Sequence, residues 1–183
     1  MKVLLSIGGA SGTLYSIRLI NELKKHDVEI HLISSQGGKK ILEHETGISF
    51  EKIKEKADFY YENNDLFAGP ASGSFLIDAM IICPCSMKTL SAVANGYGDN
   101  LTTRAACCML KEQRKLILVP RETPLDLPSI ENMKKAKIAG ASILPAMPGF
   151  YHKPETIEDI VSFIVGKILD LLEIKHDIFQ RWK

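Results

Sequence analysis

The sequence carries almost no net charge. Twenty-three Lys and Arg stand against 22 Asp and Glu, a formal +1. No global field therefore draws in DNA, RNA or an anionic membrane, and an anionic ligand must be held by a local site. Long apolar runs are also missing. None approaches the roughly 20 residues that cross a bilayer, so no membrane span is expected. The first residues pass directly into a strand-like stretch without the pattern of a secretory signal. A cytoplasmic location is the resulting expectation.

Cysteine is scarce, and its spacing excludes more than its number. Cys83, Cys85, Cys107 and Cys108 form a C-x-C and a C-C pair, and neither suits a common zinc site. They are expected to be buried structural thiols. The five histidines fall in no metal-ligand pattern, and no Ser-His-Asp or Cys-His arrangement is legible. No metal site is expected. There is no internal repeat, low-complexity tract or linker, so residues 1–183 are expected to form one domain, long enough for a full core.

What is present is an alternation. Apolar strand-like runs occur at Lys2–Ile7, Val28–Ser34, Ala79–Cys83, Lys115–Val119 and Ser142–Leu144. Helix-like segments separate them: one carries Leu14, Ile17, Ile20 and Leu23, and others cover residues 86–95, 102–111 and 130–139. The last, from Ile157 to Leu172, keeps a spacing of three and four residues. Nearly continuous apolar strands alternating with helices predict a parallel sheet covered on both faces. Residues 51–74 read as less regular, with 68–74 a loop. In such sheets ligands bind beyond the C-terminal strand ends, so chemistry is sought directly after each strand.

The first of these places holds Gly8-Gly9-Ala10-Ser11-Gly12. Ala10 breaks the dinucleotide fingerprint, and no Gly-Lys-Ser/Thr follows to make a P-loop. The loop can still present backbone N–H groups at a helix start, with Ser11 as ligand donor or as helix cap. Ser34 and Ser35 follow the second strand, ahead of a helix carrying Glu45. Capping is their simpler role, phosphate binding the other. Ser86 and Thr89, one turn apart after the third strand, can share one ligand, or Ser86 can cap. Lys88 is expected to face solvent. After the fourth strand, Arg121-Glu122 sits between Pro120 and Pro124, either as a forked phosphate grip with a proton carrier or as a surface ion pair. Arg104 and Lys111 lie seven residues apart on one helix face. Tyr151, in the proline-bounded loop after the fifth strand, can donate to a phosphate; His152 beside it is expected to be structural.

Taken together, "GASG", "SGSF", "CPCSMKTLSAVANG", "NLTTRAACCMLKEQRKLILVPRETPL", "AGASILPAMPGFYHKP" and the terminal "RW" resemble the flavin prenyltransferases, the UbiX family, along almost the whole chain. The resemblance implies an α/β, flavodoxin-like and Rossmann-related three-layer sandwich. It implies FMN and dimethylallyl phosphate as ligands, and prenyl transfer to N5 and C6 of reduced FMN without a metal. The product, prenylated FMN, would serve a UbiD-type decarboxylase. It further implies a dodecamer with active sites shared between subunits. Gly9, Ala10, Ser11, Ser35, Ser86, Thr89 and Arg104 match flavin-contact positions. Lys111, Arg121, Glu122 and Tyr151 match the prenyl-phosphate pocket. Lys167 stands where many members carry arginine, which keeps the charge but not the planar fork. Ser11 and Glu45 match a proton-relay pair, and Trp182 a tail aromatic near the site. The alternatives are an FMN-dependent cysteine decarboxylase of the same fold, or a flavin-binding module without catalysis. The first helix, "TLYSIRLI", lacks the histidine those decarboxylases use.

Overall fold

The computed structural model describes residues 1–182. Six strands, β1 (Lys2–Ile7), β2 (Glu29–Ser34), β3 (Phe59–Glu62), β4 (Ala79–Cys85), β5 (Lys115–Pro120) and β6 (Ser142–Ile143), form one sheet in the order β3-β2-β1-β4-β5-β6. Every pairing is parallel. This is the doubly wound order, and it reverses direction between β1 and β4, where a crevice opens at the C-terminal strand ends.

Seven helices cover the sheet: α1 (Thr13–Lys25), α2 (Gln36–Thr46), α3 (Phe50–Lys54), α4 (Met87–Ala94), α5 (Leu101–Lys111), α6 (Leu127–Ile138) and α7 (Ile157–Leu171). The strand period of two splits the interior into two cores. Val3, Leu5 and Ile7 face one side, with Leu19, Leu23, Ile164 and Ile168 from α1 and α7. Leu4, Met80 and Ile82 face the other, with Leu90, Ala105 and Ala136 from α4, α5 and α6. Burial on both faces explains why the strands read as unbroken apolar runs.

The five expected strands are present, β4 extending two residues further, to Cys85. The less regular stretch contains elements its sequence did not announce: α3, edge strand β3, and a single 3-10 turn at 69–71. β3 is four residues long, "FYYE", and none of its residues is fully buried. It is held by its aromatic rings, since Phe59 and Tyr61 stack on buried His31 of β2 at centroid distances of 4.7 and 5.9 Å. An edge strand built this way has no continuous apolar signal to read.

Candidate functional site

Two cavities lie over the crevice and share Gly9 and Ser86 in their walls. The larger, about 840 Å³, is lined by the β1 end, the first turns of α2 and α4, Asn63, and the turn into α5. That volume is in the usual ligand-binding range of about 300–1,000 Å³. The smaller, about 550 Å³, is lined by Gly9, Ala10, Ser11, Ile41, His44, Glu45, Ser86, Arg121 and Glu122.

The walls follow from local chemistry. Gly8 donates its N–H to the Pro84 carbonyl at 3.1 Å, so close that a Cβ would run into that oxygen. A side chain there would push β1 from β4 at the mouth of the crevice. Ser35 caps α2, accepting from Gly38 N–H at 3.0 Å. Ser86 caps α4, accepting from Thr89 N–H at 3.3 Å while its hydroxyl donates to Thr89 Oγ1 at 3.1 Å. The two helix N-termini therefore open on one cavity with their hydroxyls in place, which suits an anion. Lys88 is exposed, as expected, and also lines this cavity.

Ser11 does not cap α1. Gly12 does, at φ 105°, in the left-handed region that glycine adopts freely. It has no side chain to offer, and Glu45 of α2 does the capping from outside. The Glu45 carboxylate accepts from Gly12 N–H (3.0 and 3.2 Å), Thr13 N–H (2.9 Å) and the Thr13 hydroxyl (2.6 Å). Burial pushes its carboxyl up, but hydrogen bonds from the Ser11 and Thr13 hydroxyls and the two backbone groups outweigh this and hold it below the ordinary carboxylate range. Glu45 is thus an anion tied to the loop that carries Ser11.

Arg121 and Glu122 form no ion pair with each other among the described residues. Arg121 Nε donates to the Ser11 carbonyl at 3.1 Å, and Glu122 accepts from Thr123 N–H at 3.1 Å. The guanidinium therefore fixes the same loop from the opposite side and keeps its terminal N–H groups available. Cys108 is buried and Cys107 only half-buried, against the expectation for all four thiols, while Cys83 and Cys85 are fully buried. Burial raises both thiols, Cys83 to about 12, which keeps them protonated and inert. Among the described residues no group of His, Cys, Asp and Glu has the arrangement to hold a metal, and no helix is long and apolar enough to cross a membrane.

One chain therefore brings together Gly9, Ala10, Ser11, Ser35, Glu45, Ser86, Thr89, Arg121 and Glu122. Arg104, Lys111, Tyr151 and Lys167 line neither cavity. Arg104 and Lys111 are exposed on α5, where Arg104 Nε donates to the Ala71 carbonyl at 3.0 Å and Lys111 lies 3.4 Å from Glu112. Lys167 lines a separate cavity of about 420 Å³ and lies 3.7 Å from Asp170. Tyr151 lines another of about 260 Å³ with Arg181 and Trp182, its ring 5.4 Å from the Trp182 ring. Asn63, Thr102 and Thr103 also line the large cavity. Only their position beyond β3 and at the start of α5 marks them.

The chain matches the family model described as Flavoprotein over residues 1–169. It is 48% identical over 182 residues to the flavin prenyltransferase UbiX of Methanocaldococcus jannaschii, covering 100% of this chain and 98% of that protein. Among solved structures it is similar to a UbiX crystallised with FMN and dimethylallyl pyrophosphate: TM-score 0.97, 40% identity, 100% of this chain and 97% of that one. It is also similar to a dodecameric FMN-dependent UbiX-like decarboxylase from Escherichia coli O157:H7: TM-score 0.98, 42% identity, full coverage of both. A peptidyl-cysteine decarboxylase shares the fold at 19% identity and a TM-score of 0.67.

Proposed function

The chain belongs to the flavin prenyltransferase family, and we infer that its paired cavities carry out that family's reaction: transfer of a dimethylallyl group from dimethylallyl phosphate to reduced FMN, closing a ring through N5 and C6. The observation that carries the inference is the pair of adjacent cavities, which share Gly9 and Ser86 in their walls. One has the helix N-termini and hydroxyls that suit a flavin phosphate, and the other has the Ser11, Glu45, Arg121 and Glu122 cluster that suits proton and phosphate chemistry.

The residues present fit FMN. The large cavity is of ligand size, and glycine backbone at Gly8, Gly9 and Gly37 forms part of its wall without side chains to fill it. Ser35, Ser86 and Thr89 would hold the phosphate end, and Gly9, Ala10 and Ser11 would border the ring. FMN, when bound and reduced, supplies the nucleophilic N5 and C6. The chain's task is to make the phosphate leave and to carry a proton. Arg121 neutralises charge that grows on the departing phosphate, and Glu122 beside it exchanges a proton with that group. Ser11 Oγ takes a proton from the ring edge and passes it toward the Glu45 carboxylate. The low basicity of Glu45 makes it a relay rather than a store, because a tightly hydrogen-bonded carboxylate releases the proton again.

Arg104, Lys111, Tyr151 and Lys167 complete this site when a neighbouring copy supplies them. Their exposure on α5, the loop after β6, and α7 supports a site shared between subunits. We extend to this chain the dodecamer described for its Escherichia coli relative. The product is a cofactor for a UbiD-type decarboxylase, and the protein works in the cytoplasm as one domain. The test is phosphate release. Inorganic phosphate should appear from dimethylallyl phosphate only when reduced FMN is present. Release at the same rate without flavin, or none with it, contradicts the reading.

A further inference from the structure

In the wall of the large cavity lies a chain of three polar side chains whose hydrogen bonds run in one direction. Thr102 N–H, which can only donate, meets Asn63 Oδ1 at 3.1 Å. That fixes which end of the Asn63 amide is oxygen. The Thr102 hydroxyl also donates to Asn63 Oδ1, at 2.7 Å. Its single hydrogen is then spent, so the Ser6 hydroxyl, 2.8 Å away and buried, must be the donor to Thr102 Oγ1. Asn63 is held through its backbone too, its carbonyl accepting from Leu101 N–H at 2.8 Å. The chain runs Ser6 to Thr102 to Asn63 and occupies the amide oxygen twice. Nδ2 remains, and among the described residues it donates to nothing, although Asn63, Ser6 and Thr102 all line the cavity.

Nδ2 is accessible rather than buried, so an amide with its oxygen locked and its donor open to the cavity can meet an acceptor held there. Its place narrows the choice. Asn63 lines the cavity with the Ser35 and Ser86 caps and Lys88, not the one with Ser11, Glu45 and Arg121. The carboxylate in the same wall, Asp99, already accepts from Asn100 and Thr103. We propose that Asn63 is a specificity-determining residue of the flavin site, its Nδ2 donating to the phosphate end of FMN, with Ser6 and Thr102 as positioning residues that hold the amide in that sense. The proposal rests on the FMN reading given above.

The test compares FMN with riboflavin, which lacks the phosphate, by calorimetric titration of the full-length protein at pH 7. Asn63→Asp keeps an oxygen for Thr102 and turns the remaining donor into a charged acceptor. Its affinity for FMN should fall by about tenfold or more, as expected for a hydrogen bond to a charged group, and its affinity for riboflavin by less than about threefold. Asn63→Ala removes the donor without adding charge and should weaken FMN severalfold, which serves if the aspartate variant proves unstable in a thermal melt. FMN binding within twofold of wild type in a folded variant overturns the proposal. Equal losses for both flavins overturn the phosphate-end assignment. Wild-type protein that binds neither flavin overturns the FMN reading itself, an outcome distinct from failure at Asn63 alone.

Discussion

At the scale of single residues, Glu45 does two things with one carboxylate. It caps α1, whose own cap position is a glycine, and it stands behind Ser11. Its capping role has a pH signature. Its pKa is lower folded than unfolded, so the stability it contributes is fully present above the unfolded value of about 4.3. That stability is lost as pH falls through the folded value. Glu45→Gln should cost about 1 kcal/mol at pH 7, because the side chain is partly exposed and its dipole and hydrogen-bond contributions are screened. The gap to wild type in denaturation midpoint should shrink toward pH 3, and an unchanging gap would contradict the assignment. Ser86 is a cap and a candidate phosphate ligand together. Ser86→Ala should lower stability by about 0.5–2 kcal/mol and weaken FMN as well. Lys111→Ala should leave FMN bound and strongly slow adduct formation, read by single-turnover flavin spectra; normal turnover would remove Lys111 from the site. The sequence made Ser11, Ser35, Ser86 and Thr89 legible because each follows a strand. Asn63 also follows a strand, but β3 has no apolar pattern to announce it, and the Thr102 N–H that fixes the Asn63 amide is brought to it only by the fold.

At the scale of elements, the tail beyond α7 is tied down by a compact cluster. Arg181 grips the Asp170 carboxylate with two N–H groups at 2.7 and 3.1 Å, and His176 reaches the same carboxylate at 3.1 Å. Arg181 holds the Asp170 carboxyl below its ordinary range against the effect of burial, with a smaller contribution from His176. This grip brings Trp182, the only tryptophan, against Tyr151. Asp170→Asn keeps the shape and loses the charge, so tryptic cleavage at exposed Lys175 should speed up severalfold as the tail opens more often. An unchanged rate would mean that the tail is held by Phe179 packing alone. The long amphipathic helix α7 was readable from its period. The tail's path was not, since it depends on ion pairs from Asp170 of α7 to residues six and eleven positions further on, in an irregular segment. β3 escaped for a related reason: its Phe59 and Tyr61 are stabilised by stacking on His31 of β2 rather than by a pattern of their own.

At the scale of the whole molecule, two cores on either side of one parallel sheet fix the positions of the loops at six C-terminal strand ends, five of them after strands the sequence announced. That much was visible in the alternation of apolar runs and helices. A single chain assembles only part of the expected constellation, and a sequence cannot say which residues of a set meet within one copy. Co-assembled Lys111→Ala and Arg121→Ala chains should regain measurable activity that neither variant has alone, because some sites then draw both intact residues from different copies. No recovery in verified mixed oligomers would place both residues in one subunit's site.

Prenyl addition leaves its mark on the flavin itself. The most direct measurement is the mass of the flavin recovered after incubating the protein with reduced FMN and carbon-13-labelled dimethylallyl phosphate. A flavin carrying one labelled five-carbon unit, formed only with active protein, is the predicted result. Unmodified FMN recovered from folded, flavin-bound protein in the presence of the donor would contradict it.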